Sequence, residues 1–217
     1  MMQLERRPYR REAEDKRRLA LITATLSLVA EGGARFATVR AIAERAGVTA
    51  GLIRHYFHSK DGLIAASYRH LMERMTDEST AVLKAAPRDP QARLAAFVAA
   101  ALRPPVVDRD ALILWASFLQ ETKRDAAMLE THTSTYLGFR DLLQGLITAL
   151  PQPRSADELR RLAIACNAVI DGLWLEGSTL PEAFATGELV EIGISSVGAI
   201  LDVNLSNYLL FSGPITP

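Results

Sequence analysis

The sequence predicts an all-α fold of about nine helices, and three observations carry this prediction. The ten prolines all lie at positions that can be interpreted as breaks between segments. Within those segments, apolar residues recur three and four positions apart, as they do along one face of an amphipathic helix. No stretch shows the sustained apolar–polar alternation that is typical of a half-buried strand.

The prolines divide the chain because proline lacks an amide hydrogen and clashes with the preceding helical turn. The first segment is too long for one helix, and Gly32-Gly33, Gly47 and the stretch Ser59–Gly62 divide it again. All segments between the prolines are predicted to be helical: 9–86, 91–103, 106–150, 154–180 and 182–213.

Composition narrows the class of protein. The 217 residues are 49% apolar and 23% charged, close to the average of globular proteins, which disfavours disordered and collagen-like chains. The single cysteine, Cys166, cannot form an internal disulfide, and this favours a reducing cytoplasm. No window reaches the 18 consecutive apolar residues of a membrane helix. We expect a soluble cytoplasmic protein that does not associate with a membrane.

The formal net charge of zero conceals an uneven distribution. Residues 1–60 contain 12 of the 25 basic residues but only 6 of the 25 acidic ones, so the rest of the chain has an acidic excess. A basic block on an acidic body indicates that one end of the protein meets a polyanion. The arm at residues 1–18 either follows a nucleic-acid backbone or enters a minor groove, or it is a solvated, disordered tail.

Two short helices are predicted close together within residues 38–57. Thr38 is a suitable N-cap for the first helix, and Gly47 follows its last residue, where a left-handed C-cap is favoured. Thr49 is then predicted to cap the second helix. A short turn containing glycine between two such helices is the signature of a helix-turn-helix, whose second helix enters the DNA major groove.

The second of these helices carries small, basic and aromatic residues rather than carboxylates. Small residues at its start allow the backbone to approach base edges, and Arg54 could donate to guanine. Tyr56 and Lys60 could hold phosphates. The predicted DNA-binding residues are Thr38, Arg40, Thr49, Ala50, Gly51, Arg54, His55, Tyr56 and Lys60.

These motifs resemble the TetR family of bacterial transcriptional regulators, through Glu31–Gly33, Thr38–Ala43, Ala46–Thr49, His55–Phe57 and Lys60–Leu63. The resemblance implies a helical homodimer with a three-helix DNA-binding domain, a linking fourth helix and a larger ligand-binding and dimerisation domain. It also implies that Tyr56 and Lys60 contact phosphate and that the start of the second helix reads bases. The corresponding predicted domains are a basic arm, a helix-turn-helix domain and a ligand-binding domain at 1–18, 19–64 and 65–217.

The C-terminal part resembles the choline-responsive repressors of glycine betaine synthesis, at Leu114–Phe118, Ile170–Leu175 and Pro181. This resemblance implies that choline or a related cation is the effector.

A polar face inside an apolar segment independently indicates a ligand site. Asn167, Asp171 and Trp174 are spaced to share one helix face, where a carboxylate needs a donor, a water pocket or a cationic ligand. Aromatic side chains on other helices suit a quaternary ammonium compound. The alternatives are that the aromatic residues are plain core and that Asp171 pairs across a dimer interface. The predicted ligand-binding residues are Trp115, Phe118, Leu119, Tyr136, Asn167, Asp171 and Trp174.

The last predicted helix is apolar almost all round, which indicates burial on more than one side. Packed with Leu159–Trp174 against their symmetry mates, it would form a four-helix dimer interface. A dimer would place two second helices about 34–36 Å apart, matching successive major grooves of a palindromic operator, or apart by a larger multiple of the helical repeat.

The function predicted from the sequence is therefore a ligand-responsive regulator, most simply a repressor, that needs neither cofactor nor metal. One alternative is an all-helical enzyme, although the chain lacks a phosphate-binding glycine loop and the nucleophile and zinc motifs. His55 and His58 with His70 do not form an obvious complete metal-ligand set. Another alternative is a DNA-binding protein without a ligand. The effector, the operator and the regulated genes stay open.

Overall fold

The computed structural model describes residues 6–208, with side chains from residue 13 onward. Within residues 6–208 there are nine α-helices and no strand, so the all-helical prediction is confirmed. Short 3₁₀ turns lie at Val82–Lys84 and Pro181–Ala183. The helices are α1 (Arg6–Gly32), α2 (Val39–Arg45), α3 (Gly51–Phe57), α4 (Lys60–Ala81), α5 (Pro90–Ala101), α6 (Arg109–Glu121), α7 (Ala126–Thr148), α8 (Ala156–Thr179) and α9 (Glu188–Leu201).

Side-chain oxygens accept hydrogen bonds from backbone amides at the starts of most helices, where the first amides have no partner in the helix. Asp89 and Asp108 each accept from the amide three residues later at 2.8 Å, at the starts of α5 and α6. Ser59 does the same for α4 at 2.9 Å, and Ser155 for α8 at 3.3 Å. These polar residues explain why the helices begin where they do.

Two predicted segment boundaries are wrong. α1 begins before Pro8, because a proline in the first turn loses only an amide hydrogen that has no helical partner. The segment 182–213 is not one helix, since α9 ends at Leu201 and is followed by Asp202 with a φ of 53°. Residues 6–18 of the predicted arm are part of α1, whereas residues 1–5 and 209–217 lie outside the described residues.

The chain forms two compact units. The first consists of the described part of Met1–Leu71 together with Ile113–His132. The second consists of Met72–Leu112 and the described part of Thr133–Pro217. α4, α6 and α7 each run through both units. Each unit has a buried apolar core, which includes Leu21, Ile42, Ile53, Phe57, Leu63 and Phe118 in the first and Leu94, Phe97, Leu143, Ile147, Ile170 and Val197 in the second.

In the second unit, α9 packs against α8 and α5. A Cβ on Gly193 would lie 2.1 Å from Leu102 Cδ1, so this small residue allows a close contact within the chain. Arg154 Nη2 donates to the Leu201 carbonyl at 2.7 Å, where the end of α9 presents unpaired carbonyls. Cys166 is fully buried on α8, and burial raises the pKa of its thiol to about 12. No helix among the described residues is both long and apolar enough to cross a membrane.

Candidate functional site

α2, its turn and α3 form the predicted helix-turn-helix. Thr38 Oγ1 accepts from the Ala41 amide at 3.2 Å, which confirms the predicted N-cap of α2. Gly47 has a φ of 64°, the left-handed conformation expected after the first helix. Ile42 and Ile53 are buried and anchor α2 and α3 in the core of the first unit. Local sequence signals therefore fix this turn.

The predicted capping role of Thr49 is wrong. α3 begins at Gly51, its N-cap is Ala50, and no side chain of the described residues accepts its first amides. Thr49 and Ala50 accept from the Leu52 and Ile53 amides through their backbone carbonyls instead. The first turn of α3 is therefore closed by backbone hydrogen bonds, and Thr49 is exposed.

Most residues predicted to bind DNA are accessible. Arg54 and His55 are exposed on α3, whereas Tyr56 and Lys60 are half-buried. No hydrogen bond or ion pair within the described chain occupies the Arg40, Arg54 or Lys60 side chains. The other predicted DNA-binding residues are also exposed: Thr38, Arg40, Thr49, Ala50 and Gly51. This surface combines small residues with basic ones, the chemistry that nucleic acid requires.

Arg18 holds the C-terminal end of α3. Its guanidinium lies 4.6 Å from the centroid of the Phe57 ring, and Nη1 donates to the Tyr56 carbonyl at 3.3 Å. The sequence placed Arg18 in the arm, and no short-range signal pairs it with residues 38 and 39 positions later. Arg18 therefore orients α3 through contacts with the end of that helix.

The turn between α3 and α4 is equally constrained. His58 has a φ of 65°, and a Cβ on Gly62 would lie 2.3 Å from the Phe57 carbonyl oxygen. Because that oxygen is backbone, a side chain at position 62 would force the turn open. The glycine at position 62 is thus explained by its close approach to the end of α3.

An ion pair joins α1 to α2. Arg45 contacts both carboxylate oxygens of Glu31, with Nη2 at 3.0 Å from Oε2, and also donates to Ser27. The hydrogen bond from Arg45 lowers the pKa of Glu31. No local sequence signal identifies this exposed pair, which connects α1 to α2.

Tyr136, Asn167 and Asp171 come together inside the second unit. The Tyr136 hydroxyl donates to Asp171 Oδ2 at 2.5 Å, and Asn167 Nδ2 lies 2.8 Å from both that oxygen and Tyr136 Oη. Burial raises the pKa of Asp171, although both hydrogen bonds oppose the shift. Burial and the neighbouring carboxylate raise the pKa of Tyr136 to about 12. The sequence predicted a donor, a water pocket or a cationic ligand for the Asp171 carboxylate. The structure provides two neutral donors, Tyr136 and Asn167.

The remaining predicted ligand residues lie in different surroundings. Trp174 is buried in the second unit, where its indole donates to the Val106 carbonyl at 2.8 Å. Phe118 is fully buried in the first unit, 5.0 Å from Tyr68 between ring centroids. Trp115 and Leu119 are half-buried residues of the first unit. Participation of these four residues in effector binding stays a prediction.

Tyr68 and His132 form a second polar contact that the sequence analysis missed. Tyr68 is fully buried, its hydroxyl lies 2.7 Å from His132 Nδ1, and the two rings are stacked. Burial lowers the pKa of His132, which favours the neutral ring that can accept from the hydroxyl. The contact joins α4 to α7 within the first unit.

Comparison with known proteins identifies the family. The TetR family of bacterial regulatory proteins matches residues 21–67, and the C-terminal domain of BetI-type transcriptional repressors matches residues 90–202, more than half of the chain. The chain belongs to the TetR family. It is a transcriptional regulator with a BetI-type C-terminal domain, which confirms the resemblance seen in the sequence.

Relatives and solved structures agree with this assignment. The regulator is 34% identical over 163 residues to the HTH-type transcriptional regulator BetI of Burkholderia ambifaria, covering 75% of this chain and 82% of that protein. A transcriptional regulator from Pseudomonas aeruginosa PAO1 has a TM-score of 0.79 at 29% identity, covering 89% of this chain and 94% of its own. A regulator from Saccharomonospora viridis, solved in complex with choline, shares the fold with a TM-score of 0.63 at 20% identity, covering 86% and 96%.

TetR-family regulators bind DNA operators, typically as dimers and with small-molecule effectors, and they are transcriptional regulators rather than enzymes. In this regulator the α2–α3 pair lies within the matched N-terminal region, and the Tyr136–Asn167–Asp171 cluster lies within the matched C-terminal domain.

Proposed function

We propose that the regulator is a cytoplasmic repressor that binds a palindromic operator as a homodimer and is released by a small organic cation, with choline as the first candidate. The proposal of a cationic effector rests on the surroundings of Asp171. Its hydrogen-bond partners in the described chain, Tyr136 and Asn167, are both neutral. A half-buried carboxylate whose hydrogen-bond partners are neutral favours the approach of a cation.

Tyr136 adds an aromatic ring to the same cluster. A quaternary ammonium ion is attracted by the face of an aromatic ring, by about 0.5–2 kcal/mol per contact. The BetI-type C-terminal match and the resemblance to choline-responsive repressors support choline within this class. α4 and α7 each have residues in both units. A shift of α7 caused by effector binding near Tyr136 would therefore also move the part of α7 that belongs to the first unit, which contains the helix-turn-helix.

The homodimer is supported by accessible faces of α8 and α9. Along α8, small and apolar residues recur three or four positions apart and are exposed, with Leu175 at 46%. Ile192 is exposed on α9 at 37%. Burying these faces against a second copy would form a four-helix interface. The exposed α8 residues are Ala165, Ala168, Gly172 and Leu175.

The effector is tested by a fluorescence-anisotropy titration of operator DNA, first from the upstream region of the regulator's own gene, with and without choline. We expect salt-sensitive binding that choline weakens by roughly 30- to 150-fold, equivalent to a coupling of about 2–3 kcal/mol. Asp171→Asn keeps the shape but removes the charge, so this variant should bind operator and no longer respond. Release of Asp171→Asn by choline would contradict the role of the carboxylate. Operator binding that no ammonium ion affects would favour a regulator without this effector.

The DNA-binding surface is tested by two substitutions with different expected signatures. Arg54→Ala removes a donor that can read a base, so it should weaken specific binding by about 1–3 kcal/mol and relax the base preference. Lys60→Ala removes a phosphate contact, so it should weaken binding to all sequences and reduce the salt slope by about one. Titrations against operator and scrambled DNA at several salt concentrations separate these outcomes. Unchanged operator binding in both variants would exclude α3 as the reading helix.

A further inference from the structure

Asn167 has one hydrogen-bonding atom that the protein leaves unused. The side chain is only 2% exposed, yet its amide oxygen Oδ1 is buried and receives no hydrogen bond from a described residue. The amide orientation is fixed by its other end, because Nδ2 lies 2.8 Å from Asp171 Oδ2, an oxygen that already accepts from Tyr136. Swapping the amide atoms would place an acceptor against that acceptor. Oδ1 therefore stays turned away from the carboxylate.

A buried acceptor without a partner is costly, so such an atom usually meets a water molecule or a ligand. Asn167 and Asp171 are one helical turn apart on α8, a rise of about 6 Å. A ligand that places its positive charge near Asp171 can therefore reach Oδ1 with a group only a few bonds from the charged nitrogen. A ligand at this place would thus need a positive charge for Asp171 and a hydrogen-bond donor for Asn167.

We propose that Asn167 determines effector specificity by accepting a hydrogen bond from a hydroxyl or N–H group of the cation whose charge Asp171 balances. This inference rests on the cationic effector proposed above and adds a requirement to it. An ammonium alcohol satisfies both residues. The methyl ether of the same skeleton carries only an acceptor at that position, which would oppose the lone pairs of Oδ1. The regulator thus distinguishes an ammonium alcohol from analogues that lack a donor.

The test compares three cations with the full-length wild-type regulator by isothermal titration calorimetry. Choline carries the hydroxyl, propyltrimethylammonium replaces that hydroxyl by a methyl group, and O-methylcholine replaces it by a methyl ether, which accepts but cannot donate. We expect choline to bind about 10- to 100-fold more tightly than either analogue, because only choline pairs the buried acceptor. This comparison needs no substitution, so it does not depend on whether a variant folds.

Asn167→Leu, which has a similar volume and no acceptor, assigns the preference to the residue. In this variant choline should bind no more tightly than propyltrimethylammonium. Ser178→Ala is the matched control, because Ser178 is also buried on α8 with a hydroxyl that lacks a partner among the described residues, about 16 Å further along the helix. The control should keep the wild-type preference.

The outcomes separate the two proposals. Equal wild-type affinities for choline and propyltrimethylammonium, or tighter binding of the methyl ether, would overturn the donor requirement while leaving a cationic effector in place. A preference that survives Asn167→Leu would overturn the assignment to this residue. Absence of binding for all three cations would overturn the cationic effector and the donor requirement together.

Discussion

At the scale of single residues, the position of α3 depends on an arginine that belongs to another helix. Arg18 combines a hydrogen bond to the Tyr56 carbonyl with a cation–π contact on Phe57. Without Arg18, the position of the C-terminal end of α3 would depend mainly on the turn at His58. We therefore expect Arg18 to affect operator recognition through its contacts with α3, whatever contacts the N-terminal basic residues make with DNA.

We expect Arg18→Ala to lower the free energy of unfolding by about 1 kcal/mol and to weaken operator binding several-fold, since the contact is a cation–π pair plus a hydrogen bond. Arg17→Ala is the control, because it removes the same charge from the adjacent exposed position. Thermal unfolding and operator titrations check both variants. Equal losses in the two variants would show that Arg18 acts only through its charge.

Single residues also show how far the sequence predicts the candidate effector site. The four-residue spacing of Asn167 and Asp171 was sufficient to predict a shared face. Tyr136 was predicted as an aromatic wall, and its hydroxyl instead donates to Asp171 across 35 positions of sequence. Such a contact depends on how α7 packs on α8, and helical periodicity contains no information on that register.

At the scale of helices, the ends were predictable wherever a local residue decides them. Thr38 and Gly47 act within three or four residues of their own positions, so the sequence identifies both. The start of α3 was not predictable, because it has no side-chain cap and depends on packing. The Tyr68–His132 contact was missed for the same reason, since its residues lie 64 positions apart.

The link between α4 and α7 predicts a dependence of stability on pH. Burial holds the pKa of His132 below its unfolded value near 6.5, so the unfolded chain binds this proton more readily. Its stabilising contribution is complete above that pH and is lost as the pH falls through and below it. Chemical unfolding between pH 7.5 and 5 should show a smaller loss of stability for His132→Gln than for wild type. His55→Gln, which removes an exposed imidazole, is the control, and identical slopes for His132→Gln and wild type would refute the role of His132.

At the scale of the whole molecule, the charge is distributed in the same way as the two matched regions, with the basic excess in the DNA-binding region and the acidic excess in the rest. The basic excess lies in the first 60 residues, which contain the helix-turn-helix. The acidic remainder includes the BetI-type domain. Composition predicted this arrangement, whereas the grouping of residues 113–121 of α6 with the N-terminal unit depends on tertiary contacts and could not be predicted.

The proposed dimer makes a prediction at the same scale. Ala168→Arg places a long charged side chain in the exposed small-residue stripe of α8, where it has room in a single chain but would clash in a four-helix interface. We expect a folded monomer by light scattering and a loss of operator affinity of at least tenfold, because two half-sites are no longer bound together. Glu158→Arg, an exposed charged position in the first turn of α8, should stay dimeric. A dimeric Ala168→Arg would place the interface elsewhere.

The burial of Cys166 has a practical consequence. The chain contains one thiol, and it is both inaccessible and held in its unreactive protonated form. A cysteine introduced at an exposed position on α3 would therefore be the only site that a spin label modifies in the native protein. In a dimer, electron paramagnetic resonance would measure the distance between two such labels, and so the separation of the recognition helices, with and without effector. Cys166 would carry no label and would not contribute to the signal.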